Sequence, residues 1–158
     1  MTTKRWPIVG GLLLVLAAVN GLIAHKQHVL ARGEVVLLPL APLDPRSLMQ
    51  GDYMRLRYRL GPFDDLGRDE RLVLRLDANH VAEAVRIYKK GEPLAPDERL
   101  IVARYRQGQV RLGAEAYFFQ EGEGPRFERA RFSELRVAPD GTSVLVGLRD
   151  QARQPIAP

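Results

Sequence analysis

The sequence predicts an all-β domain, a barrel or sandwich of about eight short strands with one short helix, preceded by a single N-terminal transmembrane helix. Three observations predict it. Residues 8–24 carry no charge and are almost wholly apolar. From Glu34 onward, apolar and polar residues alternate in short runs, the period of a half-buried strand. Gly, Pro, Asp and Asn separate those runs at short intervals, and these are the residues that turns require.

The anchor comes first. Ile8 to Ala24, as a helix, spans about 25 Å, near the lower edge of what a bilayer core of roughly 30 Å requires. Trp6 stands where an interfacial aromatic is favoured, and Lys4 and Arg5 keep the preceding residues on the cytoplasmic side. A cleaved signal peptide shares this layout, but Leu22-Ile23-Ala24 puts a large residue where cleavage wants a small one. The expected organisation is a tail at 1–7, an anchor in membrane lipid at 8–24, a juxtamembrane linker at 25–33, an extracytoplasmic β domain at 34–153 and a C-terminal tail at 154–158.

Charge supports the division. The net charge is +5, yet residues 1–33 alone contribute +4 through Lys4, Arg5, Lys26 and Arg32. The remainder holds 20 basic and 19 acidic side chains. A nearly neutral domain lacks the basic excess that general nucleic-acid binding needs. There is no cysteine, which excludes disulfides, thiolate metal sites and cysteine nucleophiles.

The strands follow in order. Val35 to Leu40 is an apolar run bounded by Pro39 and Pro42, which suits a sheet edge. Asp44-Pro45-Arg46-Ser47 is turn chemistry. In Asp52 to Leu60, Met54, Leu56, Tyr58 and Leu60 face the core, while Tyr53, Arg55, Arg57 and Arg59 face outward. Residues 61–70 read as a polar loop, and Leu72, Leu74 and Leu76 mark the next strand. Asp77-Ala78-Asn79-His80 reads as a hairpin turn into Val81–Tyr88, with Val81, Val85 and Ile87 as core residues. Leu100–Arg106 and Gln109–Leu112 flank Gln107-Gly108, a second hairpin. Ala114–Gln120 is a strand with an aromatic centre. Arg126–Leu135 shows helical spacing and is the expected short helix. Asp140-Gly141 between apolar runs is a strong hairpin signal.

The stretch Gly51-Asp52-Tyr53-Met54-Arg55-Leu56-Arg57-Tyr58 resembles the pattern that names the GDYXXLXY family of bacterial membrane-anchored proteins. Ala114-Glu115-Ala116-Tyr117-Phe118-Phe119-Gln120-Glu121-Gly122 looks like a second block of the same family. The resemblance implies a bacterial inner-membrane protein with one span and a periplasmic β domain, often encoded beside multi-pass membrane proteins. It implies no catalytic residues. Its pattern specifies Gly51, Asp52, Tyr53, Leu56 and Tyr58, which either set the fold or line a groove.

Other chemistry is thin. Ser47 near an anchor invites comparison with membrane-bound serine/lysine peptidases, whose serine needs a buried neutral lysine. The candidate bases here, Lys89 and Lys90, adjoin Gly91 at a strand end, where a lysine stays charged. His25 and His28 could share a helix face, but two ligands fall short of a metal site. His80 sits in a turn. Asp64, Asp65, Asp69 and Glu70 lack the order of a calcium loop. No metal and no cofactor is expected.

Three readings remain. The first is an accessory or interaction subunit of an envelope membrane complex, with Arg55, Arg57 and Arg59 as the partner face and a multi-pass membrane protein as the implied partner. The second is the serine/lysine peptidase. The third is a small-ligand or lipid-binding barrel, with Tyr53, Tyr58, Tyr117, Phe118 and Phe119 lining a pocket. Tyr117, Phe118 and Glu121 are, separately, a candidate aromatic and acidic loop site.

Overall fold

The computed structural model describes residues 5–41, 53–61, 63, 66–67, 70–106 and 109–157. One helix, α1 (Arg5–Arg32), leads into nine described strands. These are β1 (Glu34–Pro39), β2 (Tyr53–Arg55), β3 (Glu70–Leu76), β4 (Ala82–Ile87), β5 (Glu98–Arg106), β6 (Gln109–Arg111), β7 (Ala116–Phe118), β8 (Phe132–Val137) and β9 (Ser143–Arg149). A single-turn helix, α2 (Gly124–Phe127), separates β7 from β8.

The apolar run does form a helix, and it continues well past Ala24. Residues 7–32 are long and apolar enough to cross a membrane, and none of the apolar window is buried within the protein. The whole helix of 28 residues is about 42 Å long. Its polar last turns, residues 25–32, occupy the stretch expected to be a linker. No helix breaker intervenes until Gly33, whose N–H still donates to the Val29 carbonyl at 2.8 Å. The side chain of Trp6 and the tail residues 1–4 lie outside the described residues.

The helix end is packed onto the sheet. Val29 is only 1% exposed. A Cβ at Gly33 would run into the Val29 carbonyl oxygen and lie 3.1 Å from both Arg136 Cβ and the Val137 nitrogen. Arg136 Nη1 donates to the Gly33 carbonyl at 3.1 Å, and Lys26 Nζ reaches the Ser143 carbonyl at 3.4 Å. One residue therefore separates α1 from β1, and both flank the β8–β9 end of the sheet.

The strands form a three-stranded sheet in the order β1-β8-β9, a four-stranded sheet in the order β4-β3-β5-β6 and a two-stranded ribbon of β2 and β7. All the ladders are antiparallel. Val36, Leu38, Leu135 and Val137 of the first sheet pack on Leu72, Leu74, Ala82, Ile101 and Ala103 of the second. The two sheets are joined at single points. Leu37 N–H donates to the His80 carbonyl, Val102 N–H to the Gly141 carbonyl, and Arg99 forms a two-pronged ion pair with Glu34. That carboxylate holds the Arg99 guanidinium above its ordinary value.

The turns form as their chemistry requires. Asp77 Oδ1 accepts from the N–H groups of Asn79 and Val81, both at 2.8 Å, and these bonds hold its carboxyl below the usual range. Asp140 Oδ1 accepts from Thr142 N–H at 2.9 Å and is lowered for the same reason. His80 adopts a left-handed φ of 60° in its turn. The turn residues Asp44–Ser47 and Gln107-Gly108 lie outside the described residues, as do Asp64, Asp65 and Asp69.

Two expectations need correction. The helix expected over Arg126–Leu135 is confined to Gly124–Phe127, and Phe132–Val137 is a strand between β1 and β9. Pro125 starts the helix, Phe127 and Ala130 both fall into the core, and from Ser133 onward every second residue is buried. The spacing of Phe127 and Ala130 imitates a helix face that the chain abandons at once. In β4, Val85 is not a core residue. The register slips between Val73 and Leu74, so Val85 is the extra residue of a bulge; Val81 also lies outside the core, Ile87 packs against it as expected, and Ala82 and Ala84 join it.

Candidate functional site

The two segments singled out in the sequence are far apart in the chain, with paired residues 61–65 positions from each other, and are neighbours in space. Tyr53 pairs with Phe118, Met54 with Tyr117 and Arg55 with Ala116. Leu56 N–H extends the ladder to the Glu115 carbonyl at 2.8 Å. The chain then runs on extended beside the end of β1. Ala41 N–H donates to the Arg57 carbonyl, Arg59 N–H donates to the Pro39 carbonyl, and Leu40 bridges Tyr58. The ribbon thus joins β1 at Leu40, the end of that strand opposite its junction with α1.

Period two divides the segment into faces. Met54, Leu56 and Leu60 are buried, and Arg55, Arg57 and Arg59 between them are exposed. The inner face builds an aromatic cluster. Phe127 is fully buried, with Tyr117 and Phe119 each 5.2 Å from it between ring centroids. Met54, Leu56, Leu40, Leu148 and Ile156 complete this second core. Tyr117, partly buried, packs against this second core.

The Tyr58 hydroxyl ties the two arms of the ribbon together. It donates to the Ala114 carbonyl, and the Ser133 hydroxyl lies nearby. Ser133 is 0% exposed and also donates to the Leu38 carbonyl at 3.4 Å. Burial pushes the Tyr58 phenol well above its ordinary value, the nearby Ser133 hydroxyl opposes this, and the Glu115 charge adds to it. The phenol is a neutral structural donor, not an acid or nucleophile at physiological pH. Ser133 was not anticipated from the sequence. A polar residue on the inward beat of an alternating strand was the available signal, and the helical reading of its segment hid it.

The outer face is different in kind. Phe118 is 73% exposed, with the Tyr53 ring tilted against it at 5.7 Å. Opposite Arg55 stands the small Ala116, which leaves the guanidinium uncovered. Among the described residues, the side chains of Arg55, Arg57 and Arg59 have no carboxylate partner. Other strand arginines are matched: Arg86 with Glu92 and Glu98, Arg99 with Glu34, and Arg149 with Glu134. Glu121 is exposed in the turn that follows β7, where Gly122 takes a φ of 87°. Gly51, Asp52 and Ser47 lie outside the described residues. Lys89 and Lys90 are exposed at the end of β4. Among the described residues, no group of three or more His, Asp or Glu side chains is placed to hold a metal ion.

No curated protein and no solved structure matches the chain. A family model described as GDYXXLXY protein matches residues 15–148, from the middle of α1 to the last strand. That span contains both halves of the ribbon and the sheets that hold it, so the chain belongs to the GDYXXLXY protein family.

Proposed function

We propose that this is a membrane-anchored binding subunit. Its β domain stands in the periplasm, held to the bacterial inner membrane by α1, and serves as an accessory component of an envelope membrane complex. The observation that carries this reading is the division of labour within the ribbon. Leu56 and Tyr58 are used up in packing and hydrogen bonding, whereas Phe118, Arg55, Arg57 and Arg59 are left on one uncovered face. A large exposed aromatic beside arginines is the composition of a protein–protein hot spot. Anchoring raises the local concentration of a partner in the same membrane, so a modest surface suffices.

The test is a photo-crosslinking amino acid at position 118, introduced into the full chain in native membranes. One dominant adduct with a membrane protein is the expected result. Adducts no different from those of a control at exposed Glu83 would overturn the reading. Protease treatment of spheroplasts should digest the domain, and protection would place it on the other side of the membrane.

A further inference from the structure

Resting on the binding reading above, we infer that the ribbon face receives an extended acidic polypeptide segment, one with carboxylates at alternate residues and an apolar side chain at one end. Arg55, Arg57 and Arg59 lie on alternate residues of an extended chain, with buried Met54, Leu56 and Leu60 interleaved. In a strand, alternate residues stand about 6.6–6.8 Å apart, so the three guanidinium groups form a row roughly 13 Å long. An extended partner has the same period, and its own alternate side chains fall opposite this row. Arginine's planar fork takes carboxylates in pairs of hydrogen bonds, which favours a polypeptide carrying Asp or Glu.

The row ends in an apolar platform. Phe118, exposed beside Tyr53, continues the face on the Arg55 side. The occupant therefore needs both charge and a hydrophobic residue, in a fixed order along its length. A bilayer surface offers no such sequence of groups. The ribbon also sits at the Leu40 end of β1, and α1 meets the Glu34 end, which lies about 20 Å away along a six-residue strand.

The test uses the full chain in nanodiscs of zwitterionic lipid and a fluorescent peptide in which Glu alternates with Val and one Phe follows. Binding that weakens with salt is expected. R55E/R57E/R59E should weaken it by about tenfold or more, since each reversal replaces attraction with repulsion. F118A should weaken it with little change in salt dependence. All four side chains are exposed, so thermal melting should confirm that the variants fold. Peptide binding indifferent to the triple reversal would overturn the inference. So would vesicles of anionic lipid that displace the peptide, because headgroups would then be the occupant. If the position-118 adduct forms but the triple reversal leaves it unchanged, the docking reading stands and the acidic occupant falls. If no specific adduct forms, the docking reading itself fails.

Discussion

The two cores of this domain are built on opposite plans. Between the sheets, the core is aliphatic, with Val36, Leu38, Leu72, Leu74, Ile101 and Leu135 presented by long, well-paired strands. Under the ribbon, the strands are three residues each, and the core is a cluster of rings around Phe127. Long ladders fix the backbone first, and the side chains then fill the space between. A three-residue ladder cannot do this, because so short a ribbon is marginal on its own. There the side chains must specify where the backbone lies. Phe127 packs beneath the ribbon, and the Tyr58 hydroxyl ties its two arms together at Ala114.

The sharpest way to break this comparison is F127A. Removing a fully buried ring should cost about 3–5 kcal/mol, measured by denaturant unfolding. Its signature should be local. Amide exchange should accelerate over residues 53–58 and 116–119 before it does over β3. The companion change L135A should cost about 2–5 kcal/mol and accelerate exchange in both sheets together. Equal spreading of the F127A effect would dissolve the distinction between the cores.

Y58F comes next, because it removes one buried hydroxyl and leaves the ring. The loss should be about 1–2 kcal/mol, the penalty of an unsatisfied carbonyl at Ala114. It also has a pH arm. The folded phenol is raised, so its contribution is fully present below the unfolded tyrosine value of about 10 and is lost as pH rises beyond it. Wild-type stability should therefore decline in alkali more steeply than that of Y58F. Parallel alkaline limbs would show that the hydroxyl is not the tie.

Asp140 tests the aliphatic end in the opposite direction. Its carboxyl is lowered, so its contribution is present above about pH 4 and disappears as pH falls through the folded value. D140N should flatten that acid limb while costing less than about 1 kcal/mol at neutral pH. Smallest of all, R55E, R57E or R59E should each change stability by no more than about 0.5 kcal/mol. A larger loss would mean that the outer face is structural.

Much of the fold was legible because strand alternation is a local property. Met54, Leu56 and Leu60 against Arg55, Arg57 and Arg59 could be assigned to faces from the sequence, and burial follows that assignment. The hairpin at Asp77–His80 was legible for the same reason. The bulges were not. Val85 and Val146 each insert an extra residue, and only Gly147 beside the second hints at a slip. The expected helix failed because Phe127 and Ala130 are both buried at helical spacing, while Ser133 interrupts the apolar alternation of β8. For the site, the outward row could be read, but its aromatic neighbour could not be placed. Pairing of Tyr53 with Phe118 is a contact across 65 residues of chain, and no local pattern announces it.

Val29 and Gly33 carry a consequence for any soluble version of the protein. The last turn of the rod is part of the folded body, not a leash leading to it. Severing the polypeptide after Ala24 preserves that turn, whereas starting at Glu34 strips away a buried valine and lays bare the rim beside Arg136 and Val137. The natural boundary between the greasy and the water-soluble halves thus falls inside a continuous spiral, about two turns before the first strand.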